Sequence, residues 1–243
     1  HTERMLKFMG AEIQTTKFQS NWKISLVGLP NLKNVHFDVP NDPSSASFPI
    51  VSALITPNSK IEIRKILMNK LRIGFLKTLI EMGGKIEVIN ERKSNGERIA
   101  DLIVQTSNLK GINVPAERAP SMIDEYPVLS VAASFAKGIT TFNGVEELKY
   151  KETDRIVEVV KNLNRLNIKS SSTKNKIIIT GNNNQLIKGG IEIDSKLDHR
   201  IAMSFLCMGF MAEQPIVVKK AETIQTSFPN FYKSMKQIGA NLY

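Results

Sequence analysis

Apolar residues recur at helical spacing in six stretches of this chain: 44–55, 71–82, 124–136, 153–166, 198–211 and 228–238. In the fourth, Ile156, Val159, Val160, Leu163 and Leu166 form one face, the stripe expected of a helix lying on a core. Short β-branched runs fall between the helices, at 60–66, 139–142 and 215–218. Helices and strands that alternate in this way predict an α/β protein with mixed sheets.

A loose repeat underlies the alternation. An amphipathic helix ends in glycine and a short strand follows, at Gly10, at Gly83 and at Gly239; Asn167 marks a degenerate copy. Glycine and asparagine tolerate the left-handed conformation that closes a helix. After three of the copies a second strand is expected, over 23–27, 101–105 and 176–180. The unit therefore reads helix, strand, hairpin, strand. Its spacing is too long for a thin solenoid and suits repeated α/β units.

A break in the pattern falls at Asn41-Asp42-Pro43, with strand-like residues before it and a helix after it. The break predicts a domain crossing. Residues 1–40 are too few to hold a core of their own and read as the tail of another domain; residues 41–243 form the second.

Composition narrows the class. The chain is 42% hydrophobic and 23% charged, as expected of an ordinary soluble globular protein. The longest apolar stretch, 201–212, is too short to span a bilayer and reads as a buried helix. No basic-then-apolar leader opens the sequence, so no signal peptide is expected. The single cysteine, Cys207, can build neither a disulfide framework nor a thiolate metal site, which fits a reducing cytoplasm. The net charge of +10 admits nucleic acid or small anions as partners. The basic residues are dispersed and no aromatics interleave with them, so small anionic substrates are favoured over nucleic acid, and no membrane partner is expected.

Several helix starts share one chemistry. Asp124 precedes Glu125-Tyr126-Pro127; Lys151-Glu152-Thr153-Asp154-Arg155 leads into the next helix, with Thr153 as a plausible cap; Asp198-His199-Arg200 opens another; Thr226-Ser227-Phe228-Pro229 opens the last. Helix N-termini offer free amide donors and a partial positive charge, and anions bind there. An arginine in the first turn opposes that charge, at a cost of about 0.3–1 kcal/mol. Meeting the cost twice, at Arg155 and Arg200, points to an external anion. Each residue also has a plainer reading. Asp124 and Asp198 could be N-caps, Lys151 and Glu152 a solvated pair, Arg155 a surface partner of Glu152 or Glu158, and His199 an orienting or capping group.

Taken together, four segments resemble the signatures of the 5-enolpyruvylshikimate-3-phosphate (EPSP) synthase family. They are Asp-Pro-Ser-Ser-Ala-Ser at 42–47, Asp-Glu-Tyr-Pro at 124–127, Lys-Glu-Thr-Asp-Arg at 151–155 and Asp-His-Arg-Ile-Ala-Met-Ser-Phe at 198–205. Their order and separations match over essentially the whole chain. The resemblance implies an enolpyruvyl-transferase fold: two domains, each of three βαβαββ units around a pseudo-threefold axis, with helix N-termini facing the cleft. It implies transfer of enolpyruvyl from phosphoenolpyruvate to the 5-hydroxyl of shikimate 3-phosphate, without metal or organic cofactor, by a cytoplasmic enzyme that is monomeric when full length.

The same resemblance assigns roles. Asp124 matches the catalytic proton acceptor, and Glu152 a glutamate implicated in proton transfer at the methylene carbon of phosphoenolpyruvate. Lys151 matches a lysine on shikimate 3-phosphate, and Arg155 and Arg200 match the arginines that hold phosphoenolpyruvate. Thr226-Ser227, where many members have a lysine, resembles the glyphosate-tolerant (class II) branch, as does His1-Thr2-Glu3; Asn41 departs from the glycine usual there. The motifs of the family's N-terminal half are not in this sequence, so the chain alone is expected to be inactive. Two rival readings are the sister transferase acting on UDP-N-acetylglucosamine, whose motifs around the arginines differ, and a non-catalytic scaffold. Retention of Asp124, Glu152, Arg155 and Arg200 together argues against the scaffold.

Overall fold

The computed structural model describes residues 1–19 and 21–243. Its first elements are a short helix, α1 (Thr2–Phe8), and an antiparallel hairpin, β1 (Ile13–Phe18) and β2 (Asn21–Leu26). A stretch without regular structure follows up to Pro40, where strand-like residues were expected.

Two complete units come next. The first runs α2 (Pro43–Ile55), β3 (Lys60–Leu67), α3 (Gly74–Glu81), β4 (Lys85–Ser94), β5 (Glu97–Gln105). The second runs β6 (Asn113–Val114), α4 (Tyr126–Phe135), β7 (Lys137–Asn143), α5 (Arg155–Arg165), β8 (Ser170–Thr173), β9 (Lys176–Asn182). Their strand pairings repeat. An opening residue or strand pairs in parallel with the second strand, as Asn41 with Ile66 and β6 with β7. The second strand then pairs antiparallel with the last, β3 with β5 and β7 with β9, and the last two strands form a hairpin.

The third unit keeps the opening. Short strands β10 (Ile187–Gly189) and β11 (Glu192–Asp194) precede α6 (His199–Met208) and pair in parallel with β12 (Ala212–Gln214) and β13 (Val217–Lys219). A single turn, α7 (Ile224–Ser227), and α8 (Phe231–Gln237) end the chain.

The residues closing the four repeat helices are left-handed as the repeat requires, with φ of 99° at Gly10, 90° at Gly83, 60° at Asn167 and 93° at Gly239. The turn chemistry therefore acts at the same place in every copy.

Helices α2, α4 and α6 each pack against the other two and form the centre of residues 41–243. All ten residues of α4 are buried. Helices buried on every side can approach closely only if small residues line them. Ser44, Ala46, Ser47, Ser130, Ala132, Ala133, Ser134, Ala202 and Ser204 serve that purpose. The hydroxyls of Ser47, Ser130, Ser134 and Ser204 lie off the apolar contacts because they donate to backbone carbonyls one turn back, as Ser130 to Tyr126 at 2.7 Å and Ser204 to Arg200 at 2.6 Å. Gly181 fixes where α4 ends against the sheet: a Cβ there would lie 2.1 Å from the carbonyl oxygen of Ala136.

Several of the expected helix starts differ from what is observed; the helix expected from 71 begins at Gly74. The cap of α5 is Asp154, whose carboxylate accepts from the Val157 N–H at 3.2 Å; Thr153 turns its hydroxyl to Asp198 instead. Asp124 caps no helix and sits in a 3-10 turn, Ile123–Glu125, ahead of α4. The last helix begins at Phe231 rather than at 228, because Phe228 leaves the helical region (φ −139°, ψ 74°) after the α7 turn. Asp42, with Pro43 after it, caps α2 as acceptor from the Ser44 and Ser45 N–H groups.

Candidate active site

The N-termini of α4, α5 and α6 meet at one end of the inner bundle, and each contributes charge there. Arg155, in the first turn of α5, is the organising side chain. It is 1% exposed, the largest fully buried side chain, and is held on every edge. Its Nε donates to Asp198 Oδ2 at 2.8 Å and its Nη2 to Asp198 Oδ1 at 3.2 Å, a bidentate pair. Nη1 donates to Asp124 Oδ1 at 3.1 Å, and Nη2 also donates to Glu152.

Asp198 does two jobs. It caps α6, accepting from the Arg200 N–H at 2.9 Å and the Ile201 N–H at 3.3 Å, and it is the buried counter-ion of Arg155. Thr153 adds a hydroxyl donor at 3.0 Å. Burial by itself would raise the Asp198 carboxyl; the Arg155 guanidinium and these donors outweigh it and hold the group below the usual carboxylate range. Asp198 therefore offsets the helix-start cost at Arg155 from inside the protein, on the inner edge of the guanidinium.

Asp124 and Lys151 lie on the solvent side. Lys151 Nζ is 3.0 Å from Asp124 Oδ1, and the Asp124 side chain is 35% exposed. Partial burial would raise the Asp124 carboxyl, but the Lys151 ammonium, then Arg200 and Arg155, lower it on balance, so the group is ionised at neutral pH. Glu152, 45% exposed, reaches Arg155 with one oxygen and approaches His199 Nδ1 at 3.8 Å with the other. His199 is held below the ordinary histidine value by burial and by Arg200, and is neutral at pH 7.

Arg200 stands apart from the Arg155 network. Its side chain is 11% exposed, with Nη1 3.5 Å from Glu125 Oε1 and Cζ 5.7 Å from the centre of the Phe48 ring. The structure therefore brings Asp124, Lys151, Glu152 and Arg155 into one hydrogen-bonded cluster. It sets Arg200 beside them on the next helix start.

Sequence reasoning passed over three residues. Asp198 read as a cap, because nothing local shows a partner 43 positions away. Glu125 was named within a motif but given no role. Arg72, which donates to Ser44 Oγ at 3.0 Å at the start of α2, went unremarked. Among the described residues no cluster of His, Cys, Asp and Glu has metal-binding geometry, and no helix is long and apolar enough to cross a membrane.

Three repeated α/β units around an inner helix trio, with carboxylates and guanidinium groups gathered at the helix starts, define a domain of the enolpyruvyl-transferase type. The family described as EPSP synthase (3-phosphoshikimate 1-carboxyvinyltransferase) matches residues 1–235, and the chain belongs to it.

Relatives agree with that membership. The 3-phosphoshikimate 1-carboxyvinyltransferase of Methylorubrum extorquens is 48% identical over 245 positions, covering all of this chain and 54% of the relative. That of Bartonella quintana is 45% identical over 243 positions, covering all of this chain and 55% of the relative. An EPSP synthase structure from Acinetobacter baumannii superposes with a TM-score of 0.92 at 40% identity, over 98% of this chain and 54% of that one. The chain thus has the EPSP synthase fold, and it spans about half the length of the curated relatives it matches.

Proposed function

We propose that this chain supplies one side of the active site of an enzyme that transfers enolpyruvyl from phosphoenolpyruvate to the 5-hydroxyl of shikimate 3-phosphate, releasing phosphate. The carrying observation is the Lys151–Asp124–Arg155–Glu152 cluster at three converging helix starts, in a chain 48% identical to a 3-phosphoshikimate 1-carboxyvinyltransferase.

Addition of the hydroxyl to the enol double bond requires one proton to leave oxygen and one to reach the methylene carbon. Asp124, ionised and hydrogen-bonded by Lys151, would accept the first. Glu152, partly exposed beside Arg155, would exchange the second. Loss of phosphate then returns a proton from the new methyl group. Lys151 would turn from Asp124 to the shikimate-bound phosphate. Arg155 keeps its inner edge on Asp198, and its outer edge, now on Asp124 and Glu152, would meet the phosphoenolpyruvate anion with Arg200. No metal or organic cofactor enters these steps.

Several finer readings belong to the same proposal. Residues 1–40 read as part of a neighbouring domain: Ile13 on β1 and Trp22, Ile24 and Leu26 on β2 share one face of the hairpin, and the three on β2 are exposed there. Thr226-Ser227 supports the glyphosate-tolerant branch. The whole enzyme would be a cytoplasmic monomer.

The test joins this chain to the N-terminal half of the Methylorubrum extorquens relative. The chimera should release phosphate from the two substrates, and the 243-residue chain alone should not. A folded chimera that binds shikimate 3-phosphate yet releases no phosphate would falsify the assignment.

A further inference from the structure

Glu125 closes the 3-10 turn before α4, and its side chain is 3% exposed at the meeting point of three helix starts. Its Oε1 and the Nη1 of Arg200 lie 3.5 Å apart, and neither atom has a hydrogen-bond partner among the described residues. Buried polar atoms are nearly always satisfied, so two orphans of opposite charge facing each other require a reason. A structural ion pair at this depth would close into hydrogen bonds, as Arg155 and Asp198 do at 2.8 Å a helix start away. The Glu125–Arg200 contact is close enough for attraction and too poorly aligned to lock.

The surroundings define what each group does. Arg200 faces Glu125 from α6, the Ser44 hydroxyl from the start of α2, Arg72 from the turn before α3, and Asp124 from its own turn. Burial pushes the Glu125 carboxyl above its ordinary value. Arg200 is the largest influence opposing that, followed by Ser44, while Asp124 adds to the rise and Arg72 lowers it. The Phe48 ring stacks against the guanidinium, with Cζ 5.7 Å from its centre, without competing for its donors.

We propose that Glu125 is a positioning residue: it holds Arg200 inward as a resting counter-ion and hands the guanidinium to the carboxylate or phosphate oxygens of an incoming anion, taking up a proton from solvent. The inference rests on the anion-site reading above. The charges balance. A Glu125 carboxylate paired with Arg200 becomes a neutral Glu125 carboxylic acid beside Arg200 paired with the ligand. No unpaired charge is left buried at either stage.

Two measurements on the 243-residue chain test this. Phosphoenolpyruvate is titrated calorimetrically in two buffers of different ionisation enthalpy, against wild type and Glu125→Gln. Protonation of the ligand itself is common to both proteins, so the difference isolates Glu125. Wild type should take up the larger fraction of a proton, and its affinity should gain more on acidification, up to about tenfold per pH unit for one proton. Separately, the Glu125 carboxyl carbon is followed by NMR; in Arg200→Gln its titration midpoint should move upward.

Equal proton uptake in both proteins overturns the hand-over while leaving the anion site intact. An unmoved midpoint in Arg200→Gln overturns the resting pair. No binding by either protein sinks the anion-site reading, and the hand-over with it.

Discussion

Arg155 and Asp198 face each other inside the protein, Nε to Oδ2 at 2.8 Å, joining the first turn of α5 to the cap of α6 with side chains 1% and 0% exposed. Removing one partner strands the other as a buried charge. Asp198→Ala should therefore lower unfolding stability by about 3–5 kcal/mol for the broken pair, with about 1 kcal/mol more for the lost cap. Urea unfolding followed by circular dichroism reads the change; a loss under about 1 kcal/mol would show that the pair is not structural.

The two arginines should separate in mutagenesis. Arg155→Ala should unfold or strongly destabilise the protein, because it orphans Asp198. Arg200→Lys should leave the unfolding midpoint nearly unchanged and, in the active chimera, raise KM for phosphoenolpyruvate by about ten- to a hundredfold, the worth of one charged hydrogen bond. Equal effects of the two substitutions on stability would contradict the different environments described for them.

Acid should destabilise the protein through Asp124 and Asp198. Both carboxyls are lowered in the folded state, so the folded protein holds their protons less tightly than the unfolded chain. The stability they contribute is fully present above the unfolded value of about 3.9 and is lost as pH falls through the lower folded values. In urea melts at successive pH values, Asp198→Asn should show a shallower acid limb than wild type. Parallel limbs would remove Asp198 from the account.

Cys207 should be inert in the native state. It is fully buried on α6, and burial pushes its thiol up to about 12. The thiolate fraction at pH 8 is then on the order of 10⁻⁴, and no reagent reaches it. A disulfide reagent should label the thiol only as fast as the protein unfolds; rapid labelling of native protein would contradict the packing of α6.

Much of the fold was legible in the residues because it depends on local chemistry. Helical spacing located every long helix, and glycine or asparagine marked each left-handed closure. Asp124, Lys151, Glu152, Arg155 and Arg200 stood out because their types recur at helix starts in the order of one family's motifs. The misses were equally physical. Capping depends on which hydroxyl or carboxylate is free to turn inward, and Thr153 was committed to Asp198, so Asp154 capped α5. The strand-like residues before Asn41 form no strand among the described residues.

The sequence by itself determined the alternation of elements, the repeat and the identity of the charged groups, since each follows from residues within a few positions of one another. Only the tertiary structure decided who partners whom. Close packing of α2, α4 and α6 brings positions 42, 125, 155 and 198 to one end of the molecule. There a buried charge must find its opposite across the fold: Arg155 takes Asp198, and Arg200 is left facing Glu125.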